Sequence, residues 1–314
     1  MKGTVPLTVV LEPKPPYDFS RMVRRLEGVG HELYRYEDGA LVRTIRVNGS
    51  VYGVRMRSEG TVEQPRLVIE VSGSGSASLD ASTDRMAITA HLKRMLSVDT
   101  ELDGLYEKLD ADPQLALLSR RFHGFRFILE SDPFECMIKT IIGQQLNLSF
   151  AATLNRRLIE AVSEPFEMNG RLYPVFPSPE QVAALTVDQL RERQFSQRKA
   201  EYVIHFARAV AEGTLPFDAA ALDMMTNDEL MERLLPFRGI GRWTVECFLL
   251  FGLGRPDLLP AADIGLRNGL RHLYRMEHQP AEDEVRQIGA AWSPWSSYIT
   301  YYLWESLKEK DLHG

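Results

Sequence analysis

The run Leu234 to Glu246, Leu-Leu-Pro-Phe-Arg-Gly-Ile-Gly-Arg-Trp-Thr-Val-Glu, leaves the chain little choice of local structure. A helix over about Asp228 to Leu235 has to stop at Pro236, whose ring and missing N–H oppose continuation. A second helix begins near Gly241 or Arg242, so only a short turn separates the two. Gly239 and Gly241 allow a positive φ or a close approach, and Ile240 offers an apolar pin for the turn. The first amides of the second helix have no intrahelical acceptor, and the helix dipole adds positive potential at the same point. Such a turn can receive a phosphate oxygen. Arg238, Gly239, Ile240, Gly241, Arg242 and Thr244 are the candidates for gripping a nucleic-acid backbone, a contact that positions DNA and reads no base sequence. An ordinary αα-hairpin within a helical core is the competing reading of the same residues.

What precedes this hairpin divides into two kinds of periodicity. Leu41 to Val47, Val51 to Ser58 and Leu67 to Ser72 carry the valine, isoleucine and tyrosine of strands, with looser candidates at Pro6 to Glu12 and Glu32 to Tyr36. Asp38-Gly39, Asn48-Gly49 and Glu59-Gly60 break these runs, and Asn48-Gly49 reads as a hairpin turn. A short helix capped at Asp18 would cover the antiparallel sheet, and Gly73 to Ser78 reads as a linker. From Thr83 onward the spacing is helical, with Pro133 opening one helix that reaches Gly143-Gln144-Gln145 and another running from Ser149 to Val162. The chain is therefore an α+β protein: a small antiparallel-sheet domain, then an all-helical body of two domains that contains the hairpin. The expected divisions are 1–78 for the sheet, 79–112 for linking helices, 113–225 for a central helical domain and 226–314 for the domain holding the hairpin.

Charge bears on the partner. The net charge of −6 opposes nucleic-acid binding only weakly, because DNA responds to the local field. Arg233 to Arg275 holds seven arginines, no lysine and three acids, Glu246, Asp257 and Asp263, so one face can be positive despite the total. Cys136 and Cys247 are too few for a disulfide framework, an all-cysteine zinc site or a four-cysteine iron–sulfur cluster within the chain. No apolar run is long enough to span a bilayer, and Met1 to Val10 lacks the layout of a signal peptide. A cytoplasmic protein without membrane contact is expected, associated with the nucleoid if the source is a prokaryote.

The hairpin resembles the helix-hairpin-helix of the DNA glycosylase superfamily. In that superfamily a Gly/Pro-rich loop and a catalytic aspartate follow; here the loop is Gly252 to Ala262 and the aspartate Asp263. The twenty-residue step from Trp243 to Asp263 is similar to that of the alkylated-base branch, DNA-3-methyladenine glycosylase II. Pro15 to Phe19, Asp132 to Glu135 with Gly143 to Gln145, Arg198-Lys199-Ala200 and Pro294 to Tyr298 resemble further signatures of the family, in the same order.

The resemblance implies base excision repair: hydrolysis of the N-glycosidic bond of bases such as 3-methyladenine or 7-methylguanine in double-stranded DNA, leaving an abasic site. Asp263 is the implied catalytic residue. As a helix N-cap it would meet unpaired amides that favour a charged carboxylate, and that charge would stabilise the oxocarbenium-like sugar. A cationic alkylated purine is already a good leaving group, so no general acid need stand out; His272 reads as structural. Members of the superfamily that also cut the strand carry a nucleophilic lysine where this chain has Trp243, which cannot form a Schiff base. Trp243 is a base-pocket candidate or a core residue, and Trp292 or Trp295 is a candidate for the pocket wall. The base must be flipped out, with Gln145 or Leu146 as the wedge. Arg198 and Lys199 read as phosphate contacts or as a solvated face. The family needs no cofactor and has no iron–sulfur cluster here; main-chain carbonyls near Phe237 and Gly239 are candidates for a structural Na+ or K+. The expected partner is duplex DNA with a damaged base, bound by a monomer. A glycosylase for oxidised or deaminated bases, or a DNA-binding scaffold without activity, would share much of this pattern.

Overall fold

A computed structural model describes residues 7–29, 32–73 and 82–309. Five strands, β1 (Leu7–Leu11), β2 (Arg35–Glu37), β3 (Ala40–Val47), β4 (Ser50–Ser58) and β5 (Leu67–Gly73), form an antiparallel sheet in the order β1-β5-β4-β3-β2. The expected hairpin turn at Asn48-Gly49 is present and the break at Asp38-Gly39 is a second one, with all four residues at positive φ, the conformation whose twist matches paired strands. α1 (Phe19–Val29) starts as anticipated, because Asp18 Oδ1 accepts the Arg21 amide at 2.9 Å. Of the Gly73 to Ser78 linker, only Gly73 lies within the described residues.

The registers explain which side of the sheet is covered by what. Leu41 pairs with Met56, Ile45 with Tyr52, and Met56 and Val54 with Ile69 and Val71, so these side chains share one face. That face joins the main apolar core, which continues without interruption into the helices. The other face carries Ala40, Val42 and Gly53 and is roofed by a feature the sequence reading treated as part of an all-helical body. β6 (Phe166–Met168) and β7 (Arg171–Tyr173) form a two-stranded hairpin around Asn169-Gly170, and Phe166, Met168 and Tyr173 pack on Ala40 and Val42. Gly53 permits this seat, since a Cβ there would lie 2.7 Å from the Met168 sulfur and 2.8 Å from the Phe166 ring.

The remaining elements are helical. In chain order they are α2 (Ser82–Met95), α3 (Asp103–Asp110), α4 (Leu115–Arg121), α5 (Pro133–Gly143), α6 (Leu148–Val162), α7 (Pro179–Ala183), α8 (Val187–Arg191), α9 (Gln197–Ala211), α10 (Ala219–Asp223), α11 (Asn227–Leu234), α12 (Arg242–Phe251), α13 (Ile264–Leu273), α14 (Glu282–Gly289) and α15 (Ser296–Ser306). α5 is the central one. Pro133 occupies its first turn, Asp132 Oδ1 accepts the Phe134 amide at 2.8 Å, and Phe134, Met137, Ile138, Ile141 and Ile142 are buried. It packs against α6, α9 and α12, and so stands between the sheet and the hairpin. Among the described residues no helix is long and apolar enough to cross a membrane.

Candidate active site

α11, a seven-residue turn and α12 form the helix-hairpin-helix. α11 starts at Asn227, one residue before the expected Asp228, because Thr226 caps it and forms a reciprocal capping box with Glu229. After Leu234 the chain turns on two short bonds, from the Phe237 amide to Leu234 O at 3.1 Å and from the Ile240 amide to Phe237 O at 3.0 Å. The two glycines have different reasons to be there. Gly239 sits at φ +85° with its Cα against the Tyr202 ring, 2.1 Å from where a Cβ would be. Gly241 has an ordinary extended backbone, φ −101°, and open space beside it, which leaves room for a ligand to approach. It caps α12 without any side chain, and no bond from the Gly239, Gly241 or Arg242 amide is found among the described residues. These amides, with exposed Arg238 and Arg242, retain the anion-binding geometry.

Two members of the expected backbone-binding set do something else. Ile240 is 5% exposed and spends its amide on Phe237 O, so it pins the turn. Thr244 is 2% exposed, and its hydroxyl oxygen accepts a bond from Gln144 Nε2 at 2.8 Å. The same Nε2 donates to Gly239 O at 2.7 Å. For a monovalent cation, Phe237 O and Gly239 O each keep one lone pair beyond these bonds, so the donor chemistry fits a role for Na+ or K+ in bracing the turn.

The loop before α6 presents Gln145 exposed and in the left-handed region at φ +56°, whereas Leu146 is partly buried against the core. Lys199 is half-buried, and its ammonium donates to Ile141 O, Ile142 O and Gln144 O at 3.1, 2.6 and 3.0 Å. Arg198 beside it is exposed.

The Gly/Pro-rich loop is fixed from three sides before it delivers Asp263. Arg94 donates to Gly252 O at 2.7 Å, and Arg255 reaches back to Met225 O at 2.7 Å. From α15, Ser297 donates to Arg255 O at 2.6 Å and accepts the Leu258 amide at 3.0 Å, while Ser296 donates to Asp257 at 2.6 Å. The Pro294 to Tyr298 signature therefore locks the loop. Asp263 then caps α13, its Oδ1 accepting both the Leu266 amide at 2.7 Å and the indole N–H of Trp304 at 2.8 Å. No hydrogen bond to Oδ2 is found among the described residues. Gly265 allows this arrangement, as a Cβ would come within 2.9 Å of the Trp304 ring and 3.0 Å of Oδ1. Trp304 in turn stacks on Phe251 of α12, 5.9 Å between centroids.

α12 shares this neighbourhood. Burial, reinforced by the Asp263 and Glu246 carboxylates, pushes the Cys247 thiol up, and burial raises Glu246 against the opposing pull of Arg242 and Arg286. A thiol held protonated in this way is a poor nucleophile. Trp243 is 40% exposed on the first turn of the same helix, which removes the core-packing reading. The two pocket-wall candidates sit in different settings. Trp292 is 2% exposed within the core, and Trp295 lines a separate depression with Lys93, Phe127, Gly254 and Tyr298. The tryptophan that touches the catalytic candidate is Trp304, which the sequence alone does not single out. His272 lies nine residues beyond Asp263, roughly 14 Å along α13 at about 1.5 Å per residue.

Residues 138–294 match the HhH-GPD superfamily of base excision DNA repair proteins. The DNA-3-methyladenine glycosylase of Bacillus subtilis is 36% identical over 223 residues, covering 71% of this chain and 73% of that protein. Among solved structures, the 3-methyladenine DNA glycosylase of Archaeoglobus fulgidus superposes with a TM-score of 0.81 at 26% identity, covering 96% of this chain and 98% of the other. The 8-oxoguanine glycosylase/lyase of Clostridium acetobutylicum, at 17% identity and a TM-score of 0.72 over 98% and 99% of the two chains, shares the fold alone. The capped aspartate, the anion-binding turn and these likenesses converge: the chain belongs to the HhH-GPD superfamily of base excision DNA repair proteins and, within it, to the DNA-3-methyladenine glycosylase family.

Proposed function

We infer that the protein is a monofunctional glycosylase that hydrolyses the N-glycosidic bond of alkylated bases in double-stranded DNA. The observation that carries the mechanism is Asp263, whose Oδ1 is held by a helix amide and an indole while Oδ2 is left for the reaction. As the bond between C1′ and the base breaks, its electron pair leaves with the base, and the positive charge on the sugar falls beside the carboxylate. Water then adds at C1′ and its proton passes to Asp263 or to solvent. A base that is cationic before cleavage departs neutral, so the chemistry requires no general acid.

DNA is held by phosphates at the amides of Gly239, Gly241 and Arg242 and by the Arg238 and Arg242 side chains, with a monovalent cation on the Phe237 and Gly239 carbonyls as a brace. Gln145 is the wedge, being the exposed member of the pair and already turned outward at positive φ. Trp243 offers its π face to the electron-deficient ring of the flipped base. With Trp243 in place of the lyase lysine, the product is an intact strand with an abasic site. The test is base release from duplexes carrying single defined lesions. Free 3-methyladenine or 7-methylguanine is expected from the wild type and not from Asp263→Asn, with duplex affinity kept; release of 8-oxoguanine alone would overturn the assignment to alkylated bases.

A further inference from the structure

Two side chains remote from the reacting bond tie the wedge loop to the hairpin. The ammonium of Lys199, on the first turn of α9, meets three converging carbonyls, Ile141 O, Ile142 O and Gln144 O, at 3.1, 2.6 and 3.0 Å. Carbonyls at the last turn of a helix lack intrahelical partners and form the negative end of its dipole, so a compact cation with three donors satisfies this end of α5. The next residue is Gln145, where the backbone reverses at φ +56°. Gln144 points the other way, its Nε2 bridging Gly239 O at 2.7 Å and Thr244 Oγ1 at 2.8 Å. A carbonyl oxygen can only accept, so the group facing Gly239 is the amide NH2.

We propose that Lys199 and Gln144 act as one positioning link, which fixes the Gln145 loop against the phosphate-binding turn so that a gripped backbone places the damaged nucleotide at the wedge. The proposal rests on the glycosylase reading above. Its consequence is a split between binding and flipping. With the link cut, the amides of the turn still hold phosphate, but the wedge no longer stands in register with the strand. A displacement of about 1 Å at a positioned group costs on the order of a hundredfold in rate.

Lys199→Met, Gln144→Glu and the double variant would be compared with the wild type on a 7-methylguanine duplex under single-turnover conditions. Flipping would be followed by the fluorescence of 2-aminopurine placed beside the lesion. Gln144→Glu keeps the shape and removes the donor, so it tests the link even where Lys199→Met fails to fold. The expected result is a ten- to hundredfold fall in cleavage rate and in the flipping signal. Duplex affinity should stay within about threefold, and the double variant should be no slower than the worse single one, as for residues acting as a unit. Losses that multiply in the double variant, an unchanged flipping signal, or a fall in affinity that accounts for the rate would each overturn the link. Absence of base release by the wild type would instead sink the glycosylase reading itself.

Discussion

Asp263 has two oxygens and the structure gives them different work. Oδ1 is consumed by the Leu266 amide and the Trp304 indole, and this fixes the carboxylate plane. In the proposed mechanism Trp304 therefore orients the group that meets the sugar, and Gly265 is small because any side chain there would push the indole away. Trp304→Phe keeps a ring that can stack on Phe251 and deletes the N–H. A hydrogen bond to a charged group is worth about 1.5–3 kcal/mol, so the single-turnover rate should fall roughly ten- to hundredfold with little change in duplex affinity. A rate within twofold of the wild type would mean that the Leu266 amide alone orients Asp263. Asp263 itself was legible in the sequence because its evidence is local: a glycine-bearing turn, a proline-rich loop and a capping position follow one another within some thirty residues. Trp304 was not, since its partner lies 41 residues away and nothing in a cluster of six aromatic residues marks which ring turns toward the site. Trp243 shows the converse, its 40% exposure removing the core-packing reading that the sequence left open.

Among the elements, helix starts were readable where a side chain makes the cap and less so where two do. Asp18, Asp132 and Asp263 all cap the helices that follow them, whereas the Thr226 box starts α11 one residue before the expected Asp228. The hairpin β6–β7 carries a local signal: Asn169-Gly170 lies between Phe-Glu-Met, which alternates in the manner of a strand, and Arg-Leu-Tyr. Three-residue strands are too short to stand out, and the reason they form is tertiary, since they roof Ala40 and Val42 of the sheet. Gly53 makes the argument testable. Gly53→Val would place methyl groups where Met168 and Phe166 now sit, and overpacking of this kind costs about 1–3 kcal/mol. Urea unfolding should show the loss, with base release retained in the folded fraction because the hairpin lies away from α12 and α13. Unchanged stability would show that the roof lifts without cost.

At the scale of the whole molecule, α5 joins the sheet to the hairpin helix α12. One end of that helix is anchored to the sheet by buried charge: Arg43 of β3, 1% exposed, donates to Glu135 Oε2 at 2.8 Å and to the Tyr34 hydroxyl at 2.8 Å. Lys139 pairs with Glu130 at 2.7 Å and approaches Glu32 at 3.7 Å and Glu135 at 3.8 Å. Three carboxylates thus share two cations, and burying an uncompensated charge is costly. Burial, with Glu130 adding to it, raises Glu135 against the pull of Arg43 and Lys139, to about 8. A carboxyl group raised in the folded state binds its proton more tightly there than in the unfolded chain. The stability tied to that proton is complete below the ordinary glutamate range, near 4.5, and is lost as pH climbs through about 8. Wild-type stability to urea should accordingly decline between pH 5.5 and pH 8.5. Glu135→Gln, which keeps an acceptor for Arg43 and has nothing to titrate, should lose that part of the decline. If the two proteins show the same dependence on pH, the proton resides elsewhere in the cluster or the cluster stays fully charged, and the coupling of sheet to α5 owes nothing to protonation of Glu135.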